Sequence, residues 1–282
     1  MSFLQPVRLY ADTAILRDLS RNRCEEFSRQ AFIDLLDAGE AVLVLSPVHL
    51  VEIAKGPQEP SRDPLTLMLA PFVEQRRVLW VRSLGDLCRL EWAQAALLGG
   101  DGRLGPEHVF GTSLRLLAGR IPEDEGRNVV EPPFPKQVEV ARRALRSSGY
   151  VQGAADLALR GLSGSQKRRM SKPKGSRLYS EVERIFRAYS WLPADSQLSA
   201  GFRPDLSRMP ACRVRVAYEE GSDLAGIPVK ANDAEDWFHL AGAAYCDIAF
   251  ADKRTFDRLS KARYLPASLR LNRYASDILG AL

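Results

Sequence analysis

No stretch of this 282-residue chain approaches the roughly 20 consecutive apolar residues that a membrane-spanning helix needs. Its first residues also lack a basic segment followed by a signal-like apolar run, so the sequence predicts a soluble protein with no membrane partner. Cysteine is scarce. Cys24, Cys88, Cys212 and Cys246 lie far apart, without a CxxC pair or a histidine at zinc-finger spacing. They read as small buried apolar residues, and they place the protein in a reducing, cytoplasmic compartment. No GxGxxG follows a predicted strand, which argues against a dinucleotide site. Internal repeats and low-complexity tracts are absent too.

What is present is the composition of a globular protein, 45% hydrophobic and 27% charged, with length enough for one large or two small domains. The net charge of +5 suits a polyanionic partner only if the positive charge is local. Val7 to Ala11 reads as a buried strand ending at Asp12. A helical pattern from Asn22 to Ala38 follows, with Phe27, Ala31, Leu35 and Leu36 at helical spacing and Gly39 as its stop. Ala41 to Leu45 reads as a second buried strand. Ser46 and Pro47 then supply the N-cap and first position of a helix ending at Lys55 and Gly56. A short helix and the strand-like Arg77 to Val81 extend this rhythm, which is that of a parallel sheet covered on both faces.

From Ser83 the pattern turns helical (Leu87 to Leu98, Gln137 to Ser147, Ala154 to Leu162, Leu178 to Ser190), with no strand predicted before Asp247. Leu206 to Gly221 alternates like a strand in RVRVAY but is read as a helix. A helix from Asp233 to Ala244, a strand from Asp247 to Ala251, a helix from Lys253 to Lys261 and a last helix from Asn272 to Leu282 complete the prediction. The expected architecture is α/β, three layers around a central, mostly parallel sheet built by both ends of the chain. Residues 84–205 would form a large helical insertion.

Ligands collect beyond the carboxyl ends of parallel strands, where strand order reverses. Asp12 follows the first strand and Asp252 the late one. Glu52 projects from the helix after the second strand, and Asp236 from the first turn of the helix before the late strand. Four converging carboxylates repel unless a divalent cation sits among them, and an all-oxygen donor set suits Mg²⁺ or Mn²⁺. Metal-assisted phosphodiester hydrolysis is the expected chemistry. Asp233 reads as a helix cap, Glu235 as a solvated acid and Asp247 as a strand-end residue away from the site. His239 and His49 read as core or supporting histidines, His239 as a hydrogen-bond partner for Asp236.

The order Asp12-Thr13, then LSPVHLVEI with Glu52, then D-x-x-H-L-A-x-A-A-Y-C-D from Asp236, then FADK with Asp252, resembles a PIN-domain nuclease. The resemblance lies at the two ends of the chain and is strongest in the late block. It implies that Asp12, Asp236 and Asp252 bind Mg²⁺ or Mn²⁺, that Glu52 holds water or acts as base, and that the substrate is RNA. It also implies a possible homodimer. Phe250 and Ala251 depart from the family pattern, which commonly has Thr or Ser just before the last acid.

The segment KRRMSKPKGSR carries Lys167, Arg168, Arg169, Lys172, Lys174 and Arg177, with Tyr179, Phe186, Tyr189 and Trp191 after it. Basic loops beside aromatics suit single-stranded RNA, or single-stranded DNA, through phosphate contacts and base stacking. The expected function is therefore a metal-dependent endoribonuclease, with a non-catalytic RNA-binding or scaffold protein on the same fold as the alternative. A haloacid dehalogenase type of phosphatase fits less well, because Ala14 stands where its second Asp is needed.

Overall fold

Three parallel strands are laid down outward from the first, and a fourth then returns to the first strand's other side. The computed structural model describes residues 6–23, 29–114, 131–148, 205–224, 233–261 and 270–272. In chain order the elements are β1 (Val7–Ala11), α1 (Thr13–Ser20), α2 (Arg29–Asp37), β2 (Ala41–Leu45), α3 (Pro47–Lys55), α4 (Pro64–Glu74) and β3 (Val78–Val81). Then come α5 (Leu84–Leu97), the single turn α6 (Pro106–Val109), β4 (Phe110–Gly111) and α7 (Phe134–Ser148). A 3₁₀ turn (Leu206–Arg208), α8 (Pro210–Leu224), α9 (Asp233–Tyr245), β5 (Ile248–Phe250), α10 (Lys253–Lys261) and β6 (Arg270–Asn272) complete the described chain.

The six-stranded sheet has the order β4-β3-β2-β1-β5-β6 and is parallel except for β4. Its inner strands β3, β2, β1 and β5 are largely buried on both sides, which explains their apolar runs. Successive residues alternate between two cores. Leu9, Ala11, Leu43, Leu45, Trp80, Ile248 and Phe250 pack under α1, α2, α4 and α7, whereas Tyr10, Val44, Val81 and Ala249 pack under α5, α8 and α9. The fold class expected from the sequence, α/β with a mostly parallel central sheet made by both ends of the chain, is what the structure has. No described helix is long and apolar enough to cross a membrane.

Three local expectations are corrected. Asn22 does not begin a helix: it sits at φ 52° just after α1, in a conformation that ends a helix, and the helical segment of this region is Arg29–Asp37. The helix α1 itself was not foreseen; it starts directly on Asp12, which caps it. The span between Ser83 and Asp247, where no strand is expected, contributes β4, whose Phe110 pairs with Val81 at the sheet edge. Two residues are too few to display a period, so only the pairing reveals them. Likewise Asn272, expected to open a helix, belongs to β6 beside Phe250. The ambiguous RVRVAY segment is helical, within α8.

α9 meets the sheet through small residues. A β-carbon on Gly242 would lie 2.0 Å from the Tyr10 ring, so the helix reaches this depth only because the position has no side chain. Gly242→Ala should therefore lower stability by about 1–3 kcal/mol through overpacking, despite the ~1 kcal/mol gain in helix propensity. Thermal or denaturant melts check it, and a rise in Tm would show that the contact is not tight.

The start of α8 is docked by Glu91 of α5. This fully buried carboxylate accepts from the N–H of Ala211 (2.7 Å) and of Cys212 (2.9 Å) and from the Tyr245 hydroxyl (2.6 Å). Burial outweighs these three bonds and pushes its pKa up from 4.5 to about 7. A carboxyl whose folded pKa is raised binds more protons folded than unfolded. Its contribution to stability is thus greatest at low pH and declines as pH rises from 4.5 through about 7. Glu91→Gln should flatten that part of the pH–stability curve and cost about 1–3 kcal/mol, since its NH₂ would face one of the three donors. Urea melts across this pH range test it; an unchanged slope would mean that Glu91 does not titrate there.

Candidate active site

β1 and β5 are parallel neighbours, with Ala11 level with Phe250, and strand order reverses between them. A cleft of about 420 Å³ opens beyond their carboxyl ends. Asp12, Glu52, Asp236 and Asp252 all line it, with Thr13, Arg17, Lys55, His239 and Thr255. The four acids singled out in the sequence are thus brought to one place from four separate elements.

The Asp12 carboxylate holds the backbone of Asp252, and the Asp12 N–H donates to the Phe250 carbonyl. Asp12 caps α1 by accepting from the Ile15 N–H at 2.9 Å, and its other oxygen accepts from the Asp252 N–H at 2.5 Å. Asp252 in turn caps α10, accepting from the N–H groups of Arg254 (2.6 Å) and Thr255 (3.2 Å) and from the Thr255 hydroxyl (2.8 Å). Thr255 therefore supplies a hydroxyl to the last acid from the helix side, where the sequence has none on the strand side. Burial raises the pKa of Asp12; the Ile15 N–H opposes this and the charge of Asp252 adds to it.

Asp236 is less well compensated. Among the described residues no hydrogen-bond donor meets its carboxylate. Burial, with repulsion from Asp252 and Asp233, pushes its pKa to about 7. Glu52 is the opposite case. Burial alone would raise it, but the hydrogen bond and charge of His239 prevail and hold it near 2. His239 Nε2 lies 2.9 Å from Glu52 Oε2, so the histidine supports Glu52 rather than Asp236, the partner expected from helical spacing. Burial disfavours the charged ring, yet the bond to Glu52 and the charges of Glu52, Asp12 and Asp236 raise the His239 pKa overall.

Behind this pair runs a buried polar chain that the sequence did not reveal. His239 Nδ1 is 2.6 Å from the Tyr10 hydroxyl, which is 3.2 Å from Ser46 Oγ, itself 3.0 Å from His49 Nδ1. The Ser46 N–H can only donate, so His49 Nδ1 accepts from it (2.9 Å) and Nε2–H donates to the Ala11 carbonyl (2.8 Å). His49 is therefore neutral, its pKa lowered to about 3 by burial and by His239. Ser46 and Tyr10 can each donate or accept along this chain, which joins Nδ1 of His239 to the core while Nε2 faces Glu52. The only sequence signal was the pair of histidines, one a turn after Asp236 and the other a turn before Glu52.

No protein-family model, curated protein or solved structure matches the chain. Its chemistry rests on the cleft.

The remaining acids have other roles. Asp233, expected as a helix cap, is fully buried and ion-paired with Arg258 (2.9 Å) and Arg254 (3.1 Å). Asp247 pairs with Arg8 at the other end of β5, away from the cleft as expected. Lys167, Arg168, Arg169, Lys172, Lys174 and Arg177 lie outside the described residues.

As they stand, no three Asp, Glu, His or Cys side chains among the described residues form a ready chelating group. The donor set nevertheless fits a hard cation in kind, since it is all carboxylate oxygen, and in charge. Asp236 is half-buried beside two other acids, and among the described residues no donor meets it, an arrangement that either a proton or a positive ion relieves.

Proposed function

We propose that this chain is a metal-dependent nuclease of PIN-like design, with RNA as its substrate class and cleavage within the strand. The observation that carries this reading is the convergence of Asp12, Glu52, Asp236 and Asp252 on one cleft at the sheet's switch point. The order of these acids along the chain, which resembles the PIN family, supports it. So does the mostly parallel sheet that joins the two ends of the chain.

In this reading Asp12, Asp236 and Asp252 hold Mg²⁺ or Mn²⁺, which when bound supplies Lewis-acid stabilisation of the charge that develops on the phosphate. Asp12 and Asp252 are fixed for that task by their capping bonds. Thr255 orients Asp252. Glu52 has a pKa far below neutral and is a weak proton acceptor at working pH, so its role is to orient the attacking water by accepting a hydrogen bond. His239 keeps Glu52 ionised and in place.

Purified protein incubated with single-stranded RNA and DNA in Mn²⁺, Mg²⁺ or EDTA tests the proposal. Internal cleavage that requires the metal and disappears in Asp236→Asn is the expected result. Binding of RNA without cleavage under every condition would favour the scaffold reading, in which the acids are partly idle and Asp12 and Asp252 serve as helix caps.

A further inference from the structure

The acids account for only part of the cleft. On the same two helices that carry Asp12 and Glu52, a turn further along, Arg17 and Lys55 also line it. We propose that Arg17 and Lys55 form a phosphate seat, which takes the backbone phosphate next to the one being cleaved. This rests on the nucleic-acid reading of the cleft and specifies how the strand is held in it.

The placement of Arg17 is fixed by its surroundings. Nη2 donates to the Glu52 carbonyl at 3.1 Å, and Nη1 stands 3.6 Å from the Asp63 carboxylate. The guanidinium also lies against the bare Cα of Gly56, where a β-carbon would come within 3.3 Å of Nη2 and 3.0 Å of the Ile53 carbonyl. Gly56 thus leaves the space that Arg17 occupies in the cleft wall. A guanidinium has five N–H donors in a planar fork, and the two contacts to Glu52 and Asp63 leave donors over for an anion.

Lys55 ends α3, three residues after Glu52, and brings a second positive side chain to the lining of the cleft. A cleft holding only acids would attract a cation and repel the polyanion it must act on. Arg17 and Lys55 in the same lining divide the two tasks, with carboxylates around the reacting phosphate and the two cations on its neighbour.

The probe is a nucleoside 5′-monophosphate, which has no diester to cleave, titrated calorimetrically into the full chain in Mg²⁺ at low salt. Saturable binding by the wild type, weakened about tenfold in Arg17→Gln and to a similar extent in Lys55→Gln, is expected, because a charge-assisted hydrogen bond contributes about 1.5–3 kcal/mol. Lys55 is exposed, so its variant keeps the test valid if Arg17→Gln unfolds. Absence of binding by the wild type, or equal affinity in a folded Arg17→Gln and in Lys55→Gln, overturns the seat. The cleavage assay is scored separately: metal-dependent cleavage with unchanged mononucleotide affinity removes the seat and keeps the nuclease. Weakened affinity in both variants without any cleavage keeps the seat and removes the nuclease.

Discussion

Asp12→Asn is expected to reduce Mn²⁺-dependent cleavage of single-stranded RNA by about 10³-fold while leaving the chain folded. The substitution keeps the size of the side chain and one accepting oxygen, so the bond to the Ile15 N–H that caps α1 can persist. What it removes is the negative charge in the cleft and the second acceptor, which the Asp252 N–H uses. Loss of several kcal/mol of charge stabilisation in the transition state corresponds to roughly the stated factor. The structural effect is smaller, about 1–3 kcal/mol for an amide NH₂ turned towards an N–H donor. Measuring the single-turnover rate and the melting temperature of the same preparation separates the two. Full activity in a folded Asp12→Asn protein would remove Asp12 from the chemistry and, with it, the metal site as drawn.

The largest effect on stability is expected away from the reacting centre, at the junction of α8, α9 and α10. Arg258 and Asp233 are both fully buried and 2.9 Å apart, and Arg258 also donates to the Tyr218 hydroxyl and lies over that ring at 4.9 Å. Arg258→Met should destabilise the protein by about 3–5 kcal/mol, because it takes from the buried Asp233 its fully buried cationic partner and leaves it the partly exposed Arg254. The double variant Asp233→Asn with Arg258→Met should recover part of this loss, since it removes both of the fully buried charges. Denaturant melts of the four proteins in the cycle give the coupling. Additive single effects would mean that the pair contributes packing but no charge coupling. Because Asp236 lies one turn along α9 from Asp233, the junction also sets where Asp236 enters the cleft.

The outcome for the acids shows what spacing can and cannot convey. Asp12 and Asp252 were legible because each directly follows a short apolar strand, and a strand of that kind has few places to go but a buried parallel sheet. Asp236 was legible from its place one turn before a small-residue face. His239 was legible as a supporting residue but not in its partner. Helical spacing favoured Asp236, whereas α3 and α9 meet so that the ring reaches Glu52. Asp233 has the local signature of a helix cap, and nothing in its own sequence context points to Arg258, 25 residues on.

By itself the sequence determined the strands of the first 81 residues and their helices other than α1, the helix and strand of the late block, and the candidate acids. These follow from local properties: apolar period, capping residues and the conformational limits of Gly and Pro. Only the tertiary structure decided that β5 lies beside β1, that β4 and β6 close the edges, and that a polar chain from Glu52 to His49 runs through the core. It likewise decided that Arg17 and Lys55 share the cleft with the acids. Each of these depends on which surfaces meet across long separations in the chain, and pairing, burial and charge are then set by neighbours that no local pattern records.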